Sequence, residues 1–390
     1  MQRNMIPTKY SVSILLKETT DMVRQTSIFT IGVEEEYQVI NPQTGELSAD
    51  ASRILPKAQE LLGNAAQYEM ILSQIEGITP ICQTLADVKR ELIRVRNGMI
   101  LAAEQAGTQI AAAGLHPFSL WQDQRVTPKQ RYQALVDTYK QLILEQIIFG
   151  CHVHITVPDR ESAIYIFNQA RLWLAPLLAL AASSPFWEQR ETGYDSYRTG
   201  LWWTVPLSGP PPYFASRRDY DKMIALLVET KSLEEATRIY WDLRLSERYP
   251  TIEFRVMDVC MTVDETVTIA GLIRALVHQA YELYLEQAAV PPVSSEMLRV
   301  AHWRAARYGL DGDLLDVTTN HLLPAHELIH KLLAFVRPAL KAEGDWQRVS
   351  QGIEHILQAG NSAARQRTIY QQTHSFRQVV DFIVAQTSRF

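Results

Sequence analysis

The 390-residue sequence predicts an α+β fold, one sheet carried by many helices, and three observations lead there. Strand-like signals dominate from about residue 28 to Pro80, where Val, Ile and Tyr alternate with polar residues. Two later segments also alternate, "CHVHITV" at 151–157 and the stretch 240–259. Between and after them, apolar residues recur at helical spacing, and from about Val263 the chain is mostly amphipathic helix. No internal repeat, low-complexity tract or composition break divides residues 28–390, so a single domain is expected after a loosely ordered segment 1–27.

The elements follow in order. "TIGVEEEYQVI", residues 30–40, reads as a strand, and "NPQTGE", 41–46, reverses it with Asn, Pro and Gly at punctuating positions, with a short strand after it. "ILSQIEGIT" is a further strand, with Gln74 and Glu76 on one face. Residues 83–107 form a helix, since Leu85, Val88, Leu92, Val95 and Met99 share one face and Gly107 is placed as a stop. A second helix is expected from about Pro128 to Phe149. Strand 151–157 then puts His152, His154 and Thr156 opposite Cys151, Val153, Ile155 and Val157. Asp159 caps a helix running to about Ala182, and a long loop rich in Pro, Gly and aromatics covers 183–216. The stretch 240–259 gives two strands joined at "SERYP", with Glu253 and Arg255 on one face.

Composition excludes several classes of function. A formal net charge of −5 and the lack of a dense Lys/Arg stripe argue against nucleic acid and anionic membranes as partners. The longest apolar tract, around 163–182, carries Asn168, Gln169, Arg171 and Pro176, so a buried helix is expected there rather than a membrane span. "SVSILL" is too short for a secretory core, and Cys82, Cys151 and Cys260 are widely spaced. A cytoplasmic protein with reduced thiols is the expectation.

Glu34 and Glu36 share a strand face with Gly32, whereas Glu35 falls with Ile31, Val33, Tyr37 and Val39 on the apolar side. Two carboxylates roughly 7 Å apart repel unless water or a cation stands against them. Together with Gln74/Glu76, His152/His154 and Glu253/Arg255, four strand-like segments each offer a polar pair on one face. Such a floor suits Mg²⁺, which takes carboxylate and phosphate oxygens. The alternative metal motif is "HELIH", 326–330, which matches the HExxH zinc pattern through His326, Glu327 and His330, with Glu354 conceivable as a third ligand. Yet Leu328, Ile329, Leu332, Leu333 and Val336 make an apolar face opposite it, so amphipathicity alone accounts for the pattern. No P-loop, dinucleotide or GxSxG motif is present. Cys151 and His152 point to opposite faces of their strand, which makes Cys151 a core residue.

Six stretches taken together carry a resemblance: "TIGVEEEYQVINPQTGEL", "LSQIEGITP", "GCHVHITVPD", "SSPFWEQRETGYDSYR", "WDLRLSERYPTIEFRVMDV" and "HWRAARYGLDGDL". In this order they resemble the type 2 glutamate–cysteine ligase family, also described as YbdK-type carboxylate-amine ligases. The resemblance implies a glutamine-synthetase-like catalytic fold with a curved, mainly antiparallel sheet and helices packed on one side. It implies ATP and Mg²⁺ as cofactors, with glutamate and an amine such as cysteine as substrates. Glu34, Glu36, Glu76 and Glu253 would be metal-binding acids, Glu69 a further one, and His152 would stand beside metal and substrate. Glu69 reaches that face only if a bulge or turn separates it from Glu76. Arg255 and Arg198 would clamp phosphate or carboxylate, and Arg304 and Arg307 are fainter candidates for cofactor contact, exposed helix arginines being the commoner reading. A zinc hydrolase built on HELIH and a nucleotide-binding protein whose ligase activity has decayed are the alternatives, and a homo-oligomer is compatible with the sequence.

Overall fold

The computed structural model describes residues 27–390, so the expected lead-in lies, save for Ser27, outside the described residues. Its centre is a seven-stranded sheet of β1 (Ile31–Ile40), β2 (Ala66–Tyr68), β3 (Gln74–Ile78), β4 (Gln109–Ala111), β5 (Gly150–Thr156), β6 (Leu243–Leu245) and β7 (Thr251–Asp258). The order is β6-β7-β5-β1-β3-β2, with β4 also paired to β1, and every pair is antiparallel. The α+β expectation and the mainly antiparallel sheet both hold.

Alternation along these strands makes one face apolar. Ile31, Val33, Tyr37, Val153, Ile155, Ile252 and Phe254 are all buried. Helices α1 (Ala51–Leu62) and α2 (Leu85–Gln105) pack together, and α2 lies on β1 and β3. Each large apolar side chain so buried contributes roughly 1.5–3 kcal/mol. Thr84 and Asp87 cap α2 reciprocally, and Gly107, at φ 75 in the left-handed region, follows its end. Gly77 is required by close approach, because a Cβ there would stand 2.6 Å from Cγ1 of Val95 on α2.

Three expectations are corrected. The segment after the first turn is not hairpin-rich throughout: α1 occupies 51–62, with Ala51, Ile54, Leu55 and Ala58 buried at helical spacing. The helix expected over 128–149 is instead α3 (Gln130–Tyr139) and the single turn α4 (Gln141–Leu144). Lys140 at φ 50 breaks it, and Phe149 donates its N–H to Gly114 O on the way into β5. The helix capped by Asp159 divides into α5 (Arg160–Ala170) and α6 (Leu174–Ala181) around a 3₁₀ turn. Pro176 can neither donate to residue 172 nor avoid its carbonyl, which interrupts the ladder there. The run 160–181 is long and apolar enough to cross a membrane, but 94% of its apolar window is buried inside the protein, as a core helix would be.

The aromatic loop is more structured than its composition suggested, because α7 (Tyr197–Trp202) lies within it, followed by α8 (Arg217–Glu229). Helix α9 (Val263–Leu285) packs beneath β5 beside α2, and α10 (Ser295–Tyr308), α11 (Ala325–Phe335) and four more helices to Thr387 complete the described chain. A hairpin, Asp313–Asp316 with His321–Pro324, interrupts this helical run.

His116 ties the first turn to the loop that follows β4. Its Nδ1 accepts from the N–H groups of Ser119 (2.9 Å) and Phe118 (3.2 Å), so Nε2 carries the proton and donates to Gly45 O (2.9 Å). Burial pushes its pKa from 6.5 down to about 3. Between those values the unfolded chain binds a proton that the folded chain refuses, so stability is lost as pH falls through this window. His116→Gln should flatten the pH dependence of unfolding by up to about 1.4 kcal/mol per pH unit, read from denaturant titrations between pH 7 and 4.

Candidate active site

The second face of the sheet is polar because the same alternation that buries Val33 and Tyr37 turns Glu34 and Glu36 the other way. Register sets their neighbours. Glu36 stands opposite Glu76 on β3, Glu34 opposite His152 on β5, and Glu253 on β7 opposite His154. These side chains line one cavity of about 730 Å³, together with Glu69, Arg198, Arg244 and Arg255.

Two devices bring the outlying members in. Glu69 follows the end of β2, in the turn to β3, so the odd spacing from Glu76 does not exclude it from this face. Its Oε2 accepts from the N–H of Met70 (2.8 Å). Arg255 follows Glu253 onto the cavity face by alternation, and a β-bulge between Phe254 and Met257 turns Met257 into the core. Arg198 comes from α7 and passes over Gly150, where a Cβ would stand 2.5 Å from its Nη2. Behind it, fully buried Asp258 lies 3.6 Å from Nη1 and accepts from Ser183 N, Ser184 Oγ and Ser196 Oγ.

Charge is unevenly answered across the cavity. For Glu76, burial and then the charges of Glu34, Glu69 and Glu36 raise the pKa well above the usual carboxylate range. Burial, then Glu69, raises Glu36 to about 7 despite Arg198 and a hydrogen bond from Gly150 N (2.5 Å). Burial likewise raises Glu69, against Arg131. For Glu34, burial is outweighed by hydrogen bonds from His152 and His154, and its pKa is held well down. Glu253 is also lowered, burial being overcome by Arg255 and then Arg244. Arg244 forks its carboxylate (2.6 and 3.1 Å) and Arg255 bonds Oε1 as well.

His152 is kept neutral, its pKa lowered to about 4 by burial and then by Arg255. Nδ1 lies 3.1 Å from Glu34 Oε2 and 3.5 Å from Arg255 Nη1. The shorter contact makes Nδ1 a donor to Glu34, which leaves Nε2 with a free lone pair. Glu34, His152 and Glu253 form one set with ligand atoms within 4.8 Å of one another, and Glu36, Glu76 and His152 form another. Crowded carboxylates plus one shared imidazole fit a hard divalent cation, which would replace the protons that crowding otherwise draws in.

Of the sequence-predicted residues, Glu34, Glu36, Glu69, Glu76, His152, Arg198, Glu253 and Arg255 line this cavity. Arg304 does not, which corrects its reading as a cofactor contact: its Nε donates to Asp313 O and its guanidinium stacks on Tyr308. Arg307 is likewise held outside it, bonded to Gly193 O between Tyr194 and Tyr308. On α11, His326, Glu327 and His330 are exposed and Leu328, Ile329, Leu332 and Leu333 buried. His330 pairs with Glu354 at 2.8 Å, and among the described residues the three-ligand sets are both on the sheet. Sequence reading missed Arg244, although "LRL" alternates it onto the polar face, and missed Lys129 and Arg131, which reach the cavity through the placement of α3.

Residues 30–381 match the model of Glutamate-cysteine ligase family 2 (GCS2). A Rhodopirellula baltica protein is 39% identical over 87% of this chain and 92% of its own length, and one from Roseiflexus castenholzii is 38% identical over 92% and 94%. Both bear the name "Putative glutamate–cysteine ligase 2". Among solved structures, glutamate–cysteine ligase from Francisella tularensis in complex with AMP has the same fold, with a TM-score of 0.67 at 11% identity over 93% of this chain and 89% of that one. A bifunctional glutathione synthetase from Pasteurella multocida gives 0.68 at 16% identity, over 92% of this chain and 52% of that one.

The crowding gives a prediction with two opposite signs. Replacing Glu76 by Gln removes the cost of crowding that buried carboxyl, whether borne as repulsion or as proton uptake, so the cation-free protein should melt higher at pH 7.5. The same change removes a ligand, and Mn²⁺ affinity measured by calorimetry should fall by at least about tenfold.

Proposed function

The chain belongs to glutamate-cysteine ligase family 2, and from that premise we propose that it joins the γ-carboxylate of glutamate to the amine of cysteine or a similar amino compound, consuming ATP. One observation carries the reading: Glu34, Glu36, Glu69, Glu76, Glu253, His152, His154, Arg198, Arg244 and Arg255, from separate parts of the chain, line a single cavity over one sheet face. Residues 28–390 act as one domain, supported by a continuous apolar core that draws on residues from Phe29 to Ile356. Three buried free cysteines suit a reducing cytoplasm.

The chemistry is a phosphoryl transfer followed by an acyl transfer. A substrate carboxylate oxygen bonds to the γ-phosphorus of ATP as the bond to ADP breaks, giving an acyl phosphate. The amine nitrogen then bonds to the acyl carbon, inorganic phosphate leaves, and the amine gives up a proton. Bound Mg²⁺ supplies charge cancellation between the two approaching anions. Glu34, Glu36, Glu69, Glu76, Glu253 and the Nε2 of His152 would hold it, with Arg244 and Arg255 fixing the Glu253 carboxylate in place. Arg255 and Arg198 present planar guanidinium donors to phosphate or carboxylate oxygens. Lys129, Arg131 and Arg248 add positive charge around the same cavity, as a polyphosphate requires.

ADP release measured with glutamate and a panel of amino acids, with Mg²⁺ present or withheld, tests the proposal. Turnover should need both Mg²⁺ and an amine, and Glu36→Ala should lower it by on the order of a hundredfold or more. Full turnover in that variant would remove the metal-floor mechanism. Nucleotide binding without turnover for any amine would instead assign a binding protein.

A further inference from the structure

Glu35 stands between two cavity glutamates yet points to the opposite, apolar face, where it and Arg96 of α2 are both fully buried. Arg96 forks the carboxylate through Nε to Oε2 (2.8 Å) and Nη2 to Oε1 (2.6 Å). Its remaining donors reach Met261 O (Nη1, 2.8 Å) and Cys260 O (Nη2, 2.9 Å), just beyond the end of β7. Tyr37 Oη (2.6 Å) and Thr266 Oγ1 (2.7 Å), the latter from the first turn of α9, donate to the same carboxylate.

The route of these bonds matters more than their number. β1 and β7 are not neighbours, because β5 lies between them, and Cys151 of β5 is the register partner of both Glu35 and Met257. The guanidinium therefore runs beneath β5 and fixes the span from the middle of β1 to the exit of β7. Those are the strands that carry Glu34 and Glu36 on one side, and Glu253 and Arg255 on the other. Packing does not call for charge at this place, since apolar side chains of similar volume fill such a space at equal or lower cost. What apolar chains do not supply is direction, which forked and carbonyl-directed hydrogen bonds do.

We propose that Glu35 and Arg96 are positioning residues that hold β1 and β7 at the separation where the cavity side chains share a divalent cation. The inference rests on the cation-site part of the functional reading and not on the identity of the amine.

The test compares Glu35→Met/Arg96→Met and Arg96→Lys with the unaltered protein, using melting temperature and Mn²⁺ affinity by calorimetry without substrates, then the Mg²⁺ dependence of ADP release. The double variant strips Tyr37 Oη, Thr266 Oγ1 and the carbonyls of Cys260 and Met261 of their partners and should melt below the parent, yet where folded it should bind Mn²⁺ at least about tenfold more weakly. It should also need correspondingly more Mg²⁺ for half-maximal turnover. Arg96→Lys keeps the charge and loses the fork, so it should fold and show a smaller loss of affinity in the same direction. If the double variant does not fold, Arg96→Lys decides alone. A folded variant with parental Mn²⁺ affinity overturns the proposal, as does a parent protein that binds no Mn²⁺. A parent that binds Mn²⁺ but releases no ADP with any amine overturns the ligase reading and leaves this one standing.

Discussion

Repulsion among buried carboxylates is the constraint that organises this molecule. Glu36 and Glu76 are direct cross-strand partners. Two like charges about 5 Å apart cost about 3 kcal/mol at an effective dielectric of 20, and Glu34 and Glu69 add to it. A fold of ordinary stability does not carry such a row without compensation. The arginines supply part of it, and they do so unevenly. Glu253 is saturated by Arg244 and Arg255, whereas Glu36, Glu69 and Glu76 remain short of positive charge. That imbalance is the basis of the proposed cation site on one side and the proposed anion clamp on the other.

The sheet can hold this arrangement because its two faces do different work. Helices α2 and α9 cover the apolar face and make it rigid, so the polar side chains opposite inherit fixed positions from the backbone. A charged pair within that apolar layer, Glu35 and Arg96, is fully hydrogen-bonded and spans three strands. It lies directly under the acids it separates in sequence, so packing on one face and electrostatics on the other are coupled through a single strand.

Local departures from regular structure then do the fine placement. The bulge in β7 lets Arg255 and Met257 point to opposite faces, which strict alternation forbids. The turn after β2 brings Glu69 in, and the absence of a side chain at Gly150 leaves room for Arg198. Each of these is a small cost in regularity set against a gain in the precision with which charges meet.

The sequence by itself determined which residues share a face. Period-two alternation is a local property of the chain, so Glu34 with Glu36, His152 with His154, and Glu253 with Arg255 were legible without any knowledge of their neighbours. The apolar backing of the HELIH helix was legible for the same reason, as was the buried nature of the 160–181 tract. Helix α1 was legible in principle, through Ala51, Ile54, Leu55 and Ala58, but the strand signals on either side of it masked that spacing. What only the tertiary structure decided is which faces meet. Strand order brought four separated segments together, and the turn after β2 admitted Glu69. Docking of α3 delivered Lys129 and Arg131, and α10 carried Arg304 away. Charge partners such as Arg244 for Glu253, or Arg96 for Glu35, depend on contacts between segments far apart in the chain. No periodicity encodes those, because spacing along a strand fixes direction and only folding fixes distance.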